Sequence, residues 1–81
     1  LQALSLMNAS FVLRMSDRLA ERVQQRVGTG VERQVTELFL LAYQRPPQPA
    51  ESAAACEFCE KHGLSALCRV VLNSNEFLYV N

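Results

Sequence analysis

The stretch Val31–Pro47, VERQVTELFLLAYQRPP, decides the fold. Val31, Val35, Leu38, Phe39 and Ala42 fall at i, i+4, i+7, i+8 and i+11, one face of an α-helix. Leu40, Leu41 and Tyr43 widen the apolar sector beyond what one partner helix covers, so neighbours are expected on two sides. Pro46 disfavours the α conformation at the residue before it, and Pro47 extends the break. The spacing therefore predicts a helix that stops at Arg45.

Upstream, Phe11, Met15, Leu19, Val23 and Val27 recur every four residues, with Val12 and Ala20 alongside. This predicts a helix to about Val27, ended by the turn Gly28-Thr29-Gly30. Asn8 and Ser10 supply side-chain oxygens able to cap its start. Leu1 to Met7 reads as the end of an earlier helix. Downstream, Pro46-Pro47-Gln48-Pro49 is a stiff connector. Pro49 suits the first position of a helix and Glu51 its third, where a carboxylate reaches back to free N–H groups. Gln48 at the cap is an unusual choice. Ala50, Ala53, Ala54, Ala55 and Phe58 mark this helix, and Gly63 after His62 ends it. Leu64, Leu67, Cys68, Val71 and Leu72 form a further face, interrupted by Asn73-Ser74-Asn75. Phe77, Leu78, Tyr79 and Val80 then return to the core.

The fold class is all-α: a small orthogonal or irregular bundle of about five helical segments, one domain over residues 1–81. A chain of this length buries about 60–65% of its unfolded surface, so one small core is feasible. The expected core is Phe11, Leu19, Leu38, Phe39, Phe58, Leu67, Val71 and Phe77. The chain starts at Leu1 with apolar patterning already under way, which reads as a C-terminal fragment of a larger protein or a processed chain.

Eight Lys and Arg balance eight Asp and Glu, so no global charge draws the chain to nucleic acid or an anionic membrane. No run is long and apolar enough for membrane insertion. Arg14, Arg18, Arg22 and Arg26 form a stripe at i+4 steps, with Asp17 and Glu21 interleaved. A solvated, partly paired face is expected there rather than a phosphate-binding one. The expected partner is the remainder of the parent protein, or another protein, met through a helical face.

Cys56, Cys59, His62 and Cys68 invite a second reading, a metal-binding or thiol redox module. Cys56 and Cys59 at i and i+3 could share a zinc ion. But i, i+3 and i+6 rotate steadily around a helix, so ligands from one helix converge poorly. The plain alternative is three buried or half-buried thiols, unlinked by disulfide, and a histidine near a helix end, where positive charge suits the dipole. Covalent haem attachment needs Cys-x-x-Cys-His, and Glu60 follows Cys59. No nucleophile–base pair and no phosphate-binding loop is present, so no catalytic residue and no cofactor is assigned.

Three stretches carry a family resemblance: Ser5-Leu6-Met7-Asn8-Ala9-Ser10-Phe11-Val12, Ala42-Tyr43-Gln44-Arg45-Pro46-Pro47 with Glu51 following, and Leu72-Asn73-Ser74-Asn75-Glu76-Phe77-Leu78-Tyr79-Val80. On these the chain resembles the C-terminal end of a planctomycete domain of unknown function. That domain closes large exported proteins that also carry a cytochrome-c-like domain. The family tends to have Gly where this chain has Gln44, and Ser or Thr where it has Gln48. The resemblance implies export to a periplasmic setting, a multidomain parent and a helical C-terminal module; it implies no activity. The motif residues it singles out are Asn8, Ser10, Arg45, Pro46, Pro47, Glu51, Asn73, Ser74, Glu76 and Phe77. Arg45 is expected to clasp Glu76, with Glu51 as the competing carboxylate.

Overall fold

A computed structural model describes residues 9–74 of the chain. Four helices follow one another: α1 (Ala9–Val27), α2 (Val31–Tyr43), α3 (Pro49–His62) and α4 (Leu64–Leu72). The described residues are all-α, with four helices rather than about five. The further segments expected at Leu1 to Met7 and Phe77 to Val80, and the capping Asn8, lie outside the described residues. Ser10 is the exposed second residue of α1, already inside the helix rather than before it.

Each turn has a backbone cause. Gly28 leaves α1 at φ 83°, a conformation open to glycine and strained for other residues. Its N–H still donates to the Gln24 carbonyl at 2.8 Å. Gln34, buried in α2, donates through Nε2 to the Gly28 carbonyl at 2.7 Å, pinning the α1–α2 turn from the far side. The α2 helix ends at Tyr43, two residues before the expected stop, because Gln44 takes the left-handed conformation at φ 60°, ψ 31°. Its N–H closes on the Leu40 carbonyl. The prolines follow a helix that has already ended. At the other break Gly63, φ 95°, both ends α3 and opens α4, so a single residue turns the corner.

The α2 helix is central as expected, touching α1, α3 and α4. Val35 and Leu38 are fully buried and Phe39 nearly so, in one cluster with Ala20, Val23, Ala55, Cys59, Leu64, Leu67, Cys68 and Val71. Leu19 and Phe58 pack against that cluster half-buried. Of the remaining expected core positions, Phe11 is 39% exposed and does not belong to the core, and Phe77 lies outside the described residues.

The exposure of Phe11 belongs to a larger correction. The row of α1 that faces the core is Val12, Ser16, Ala20 and Val23, not the row of large residues Phe11, Met15 and Leu19. The reason is the neighbour. α1 packs most extensively against α4, and small side chains let two helices approach closely. Ser16 is satisfied there by donating its hydroxyl to the Leu13 carbonyl at 2.9 Å. The large row is displaced to the edge of the bundle. In α3, likewise, only Ala55 and Cys59 are buried, and Ala50, Ala53 and Ala54 face outward.

Candidate functional site

Two features stand out: a clamp at the α2–α3 turn and a groove beside α1. The clamp begins with Glu51, third residue of α3. Its Oε1 accepts the Gln48 backbone N–H at 2.9 Å, the reach-back expected of a carboxylate at that position. The same carboxylate takes a fork from Arg45, with Nη1 to Oε1 at 2.9 Å and Nη2 to Oε2 at 3.1 Å. Two parallel charge-assisted bonds fix both distance and orientation. The Arg45 guanidinium beside Glu51, then the Gln48 N–H, hold the carboxyl well below its ordinary value, at about 2.

Above this fork lies an aromatic pair. The Arg45 guanidinium sits 5.7 Å from the Phe39 ring centre and 5.5 Å from that of Tyr43. The rings meet edge to face at 5.1 Å. This is cation–π distance, and such edge contacts suit the ring quadrupole. The Tyr43 hydroxyl then pairs with the Ser74 hydroxyl at 2.8 Å. Ser74 also donates to the Val71 carbonyl, and Asn73 to the Arg69 carbonyl, ending α4. The motif residues Arg45, Pro46, Pro47, Glu51, Asn73 and Ser74 therefore belong to one turn–terminus assembly. The fork joins Arg45 to Glu51, the competing carboxylate of the expectation. Glu76 and Phe77 lie outside the described residues.

The groove is the other consequence of the displaced α1 row. Met15 and Leu19 from α1, Leu41 and Ala42 from α2 and Leu72 from α4 form its apolar lining, with Arg18 and Arg22 beside them. It encloses about 430 Å³ and is open to solvent. Met15 is 38% exposed, while Leu72 is buried and forms the floor. The arginine stripe is exposed and partly paired, as expected, though its one pair is not with an interleaved acid. Asp17 accepts the Ser65 hydroxyl from α4 at 2.6 Å, and of the four stripe arginines only Arg26 finds an ion-pair partner among the described residues, Glu37 across the α1–α2 turn.

The three cysteines lie in or against the packed centre. Cys59 and Cys68 are buried, Cys56 is half-buried, and all three are thiols. Burial first, and neighbouring thiols second, push the Cys59 thiol above its ordinary value and that of Cys68 to about 12. His62 is exposed and stacks on Phe58 at 4.7 Å between ring centres. Among the described residues no three of His, Cys, Asp and Glu come together as a metal donor set. The same residues hold no helix long and apolar enough to cross a membrane.

With this geometry in view, the comparison with known families is informative. The model of a family described as protein of unknown function (DUF1553), PSD1, matches residues 1–59. The chain belongs to the DUF1553 family. No curated protein and no solved structure matches it. The DUF1553 match takes in α1, α2, the Arg45–Pro47 turn and α3 through Cys59. It therefore contains two of the three stretches that carry the resemblance and stops before the third.

Sequence reasoning missed Gln34 and the Tyr43–Ser74 hydroxyl pair. Gln34 carried a signal: a lone polar residue between Val31, Val35 and Leu38 on a core-facing side, which burial obliges to find a partner. The Tyr43–Ser74 pair spans 31 residues in sequence, and no local pattern encodes it.

Proposed function

We propose that this chain is a non-catalytic helical docking module, a small irregular or orthogonal bundle serving a larger exported protein. The observation that carries the reading is the half-open groove. A domain with limited apolar surface leaves Met15, Leu19, Leu41 and Ala42 at an edge, over the buried Leu72. Grouped apolar side chains on an open concave surface mark interaction sites more often than scattered ones. The clamp at the α2–α3 turn supports it, because a rigid corner fixes the groove's α2 wall. The family resemblance supports an exported, planctomycete parent that also carries a cytochrome-c-like domain, and the remainder of that parent is the first partner to test.

The metal or thiol redox reading on Cys56, Cys59, His62 and Cys68 has no comparable support. A thiol must ionise to attack or to ligate, and burial opposes that at Cys59 and Cys68.

Calorimetric titration of the chain with the remainder of its parent tests docking. Saturable binding that is lost in Met15→Asp, with helical circular dichroism intact, is the expected result. Binding unaffected by Met15→Asp, or no binding at all, overturns it.

A further inference from the structure

The groove has a charge as well as a shape. Arg18 and Arg22 stand one helical turn apart on α1, on the same face, where side chains four residues apart are neighbours. Neither has an ion-pair or hydrogen-bond partner among the described residues. The acids nearest in sequence are engaged or elsewhere: Asp17 holds Ser65, and among the described residues no acidic side chain lines the groove. An apolar floor is thus bordered on one side by two cations at helical spacing, with no acid paired to them among the described residues.

Resting on the docking reading, we infer that the groove receives an amphipathic helix that places two carboxylates, at i and i+4, opposite Arg18 and Arg22. Its apolar side chains lie on Leu19, Leu41, Ala42 and Leu72. A concavity of about 430 Å³ takes a few anchoring side chains rather than a whole helix, which is how helix-in-groove recognition works. Other occupants fit less well. An anionic membrane is held by clusters of four to eight basic residues, and here two flank an apolar slot in a chain of zero net charge. Single-stranded nucleic acid needs stacking platforms, and among the described residues no aromatic side chain lines the groove. A second copy docked groove to groove about a two-fold axis sets arginines against arginines.

The test uses three labelled helical peptides with one leucine face, bearing Glu, Gln or Lys at the two flanking positions. Fluorescence anisotropy measures their binding to the chain and to the doubly substituted Arg18→Glu, Arg22→Glu chain, whose changes are at exposed positions. The Glu peptide is expected to bind about tenfold tighter than the Gln peptide, from two partly exposed ion pairs, with the Lys peptide weaker still. Reversal of that order in the substituted chain confirms the pairing. Equal binding of all three peptides overturns the acidic partner while leaving docking intact. No peptide binding, alongside Met15-dependent binding of the parent's remainder, also overturns it. Failure of both binding experiments removes the docking reading as well. Anionic vesicles that displace the Glu peptide, or a dimer broken by the charge reversal, reassign the groove to a membrane or to a second copy.

Discussion

Gln44 shows what one residue does to an element. A side chain bearing Cβ in the left-handed region costs roughly 1–2 kcal/mol, whereas glycine sits there freely. The family resemblance expects glycine at this position, and the geometry supplies the reason. Glycine also loosens the unfolded chain by about 0.4–1 kcal/mol, so Gln44→Gly is expected to stabilise by a net ~0.5–1 kcal/mol. Thermal unfolding shows this as a rise of a few degrees; a fall would mean that the Gln44 side chain contributes more than its strain. Phe39 is the opposite case, a buried ring touched by Tyr43 and Arg45. Phe39→Ala is expected to lose about 3–5 kcal/mol, and an unchanged melting temperature would remove α2 from the centre of the fold. Phe39 was legible because its helix has partners on several sides, so any apolar residue near the middle is enclosed. Phe11 was not. Period-four spacing gives the apolar rows of a helix, but the neighbour's shape decides which row it takes, and α4 took the small one.

Between elements, the joint from α2 to α3 rests on the carboxylate of Glu51, which serves its own helix start and Arg45 together. Its pKa lies below the ordinary value of 4.5, at about 2, so folding binds fewer protons there than unfolding does. The stabilisation is complete above about 4.5 and fades as pH falls toward about 2. Denaturant midpoints measured across that window should fall more steeply for the parent chain than for Glu51→Gln; parallel slopes would show that the fork stabilises nothing. The helices and their breaks were readable because glycine, proline and asparagine act locally. The link from Arg45 to Glu51 was within reach of a local reading, since both flank one turn six residues apart. The groove was unreadable because its walls come from three helices, and no local pattern shows that Asp17 turns to α4.

For the molecule as a whole, the packed centre includes two thiols that burial holds protonated. Alkylation at neutral pH is expected to modify Cys56 first, and Cys59 and Cys68 only as fast as the bundle opens. Mass spectrometry of timed samples checks this, and fast modification of Cys68 would contradict the packing. The contact between Asp17 and Ser65 joins residues 48 positions apart, while the other helix pairs that share a turn are sequence neighbours. Bringing distant segments together spends chain entropy before any contact rewards it. The sequential corners therefore form early, and the seam between α1 and α4 closes last. Closure of that seam, the step that spends the most chain entropy, is expected to limit how quickly the folded molecule is reached.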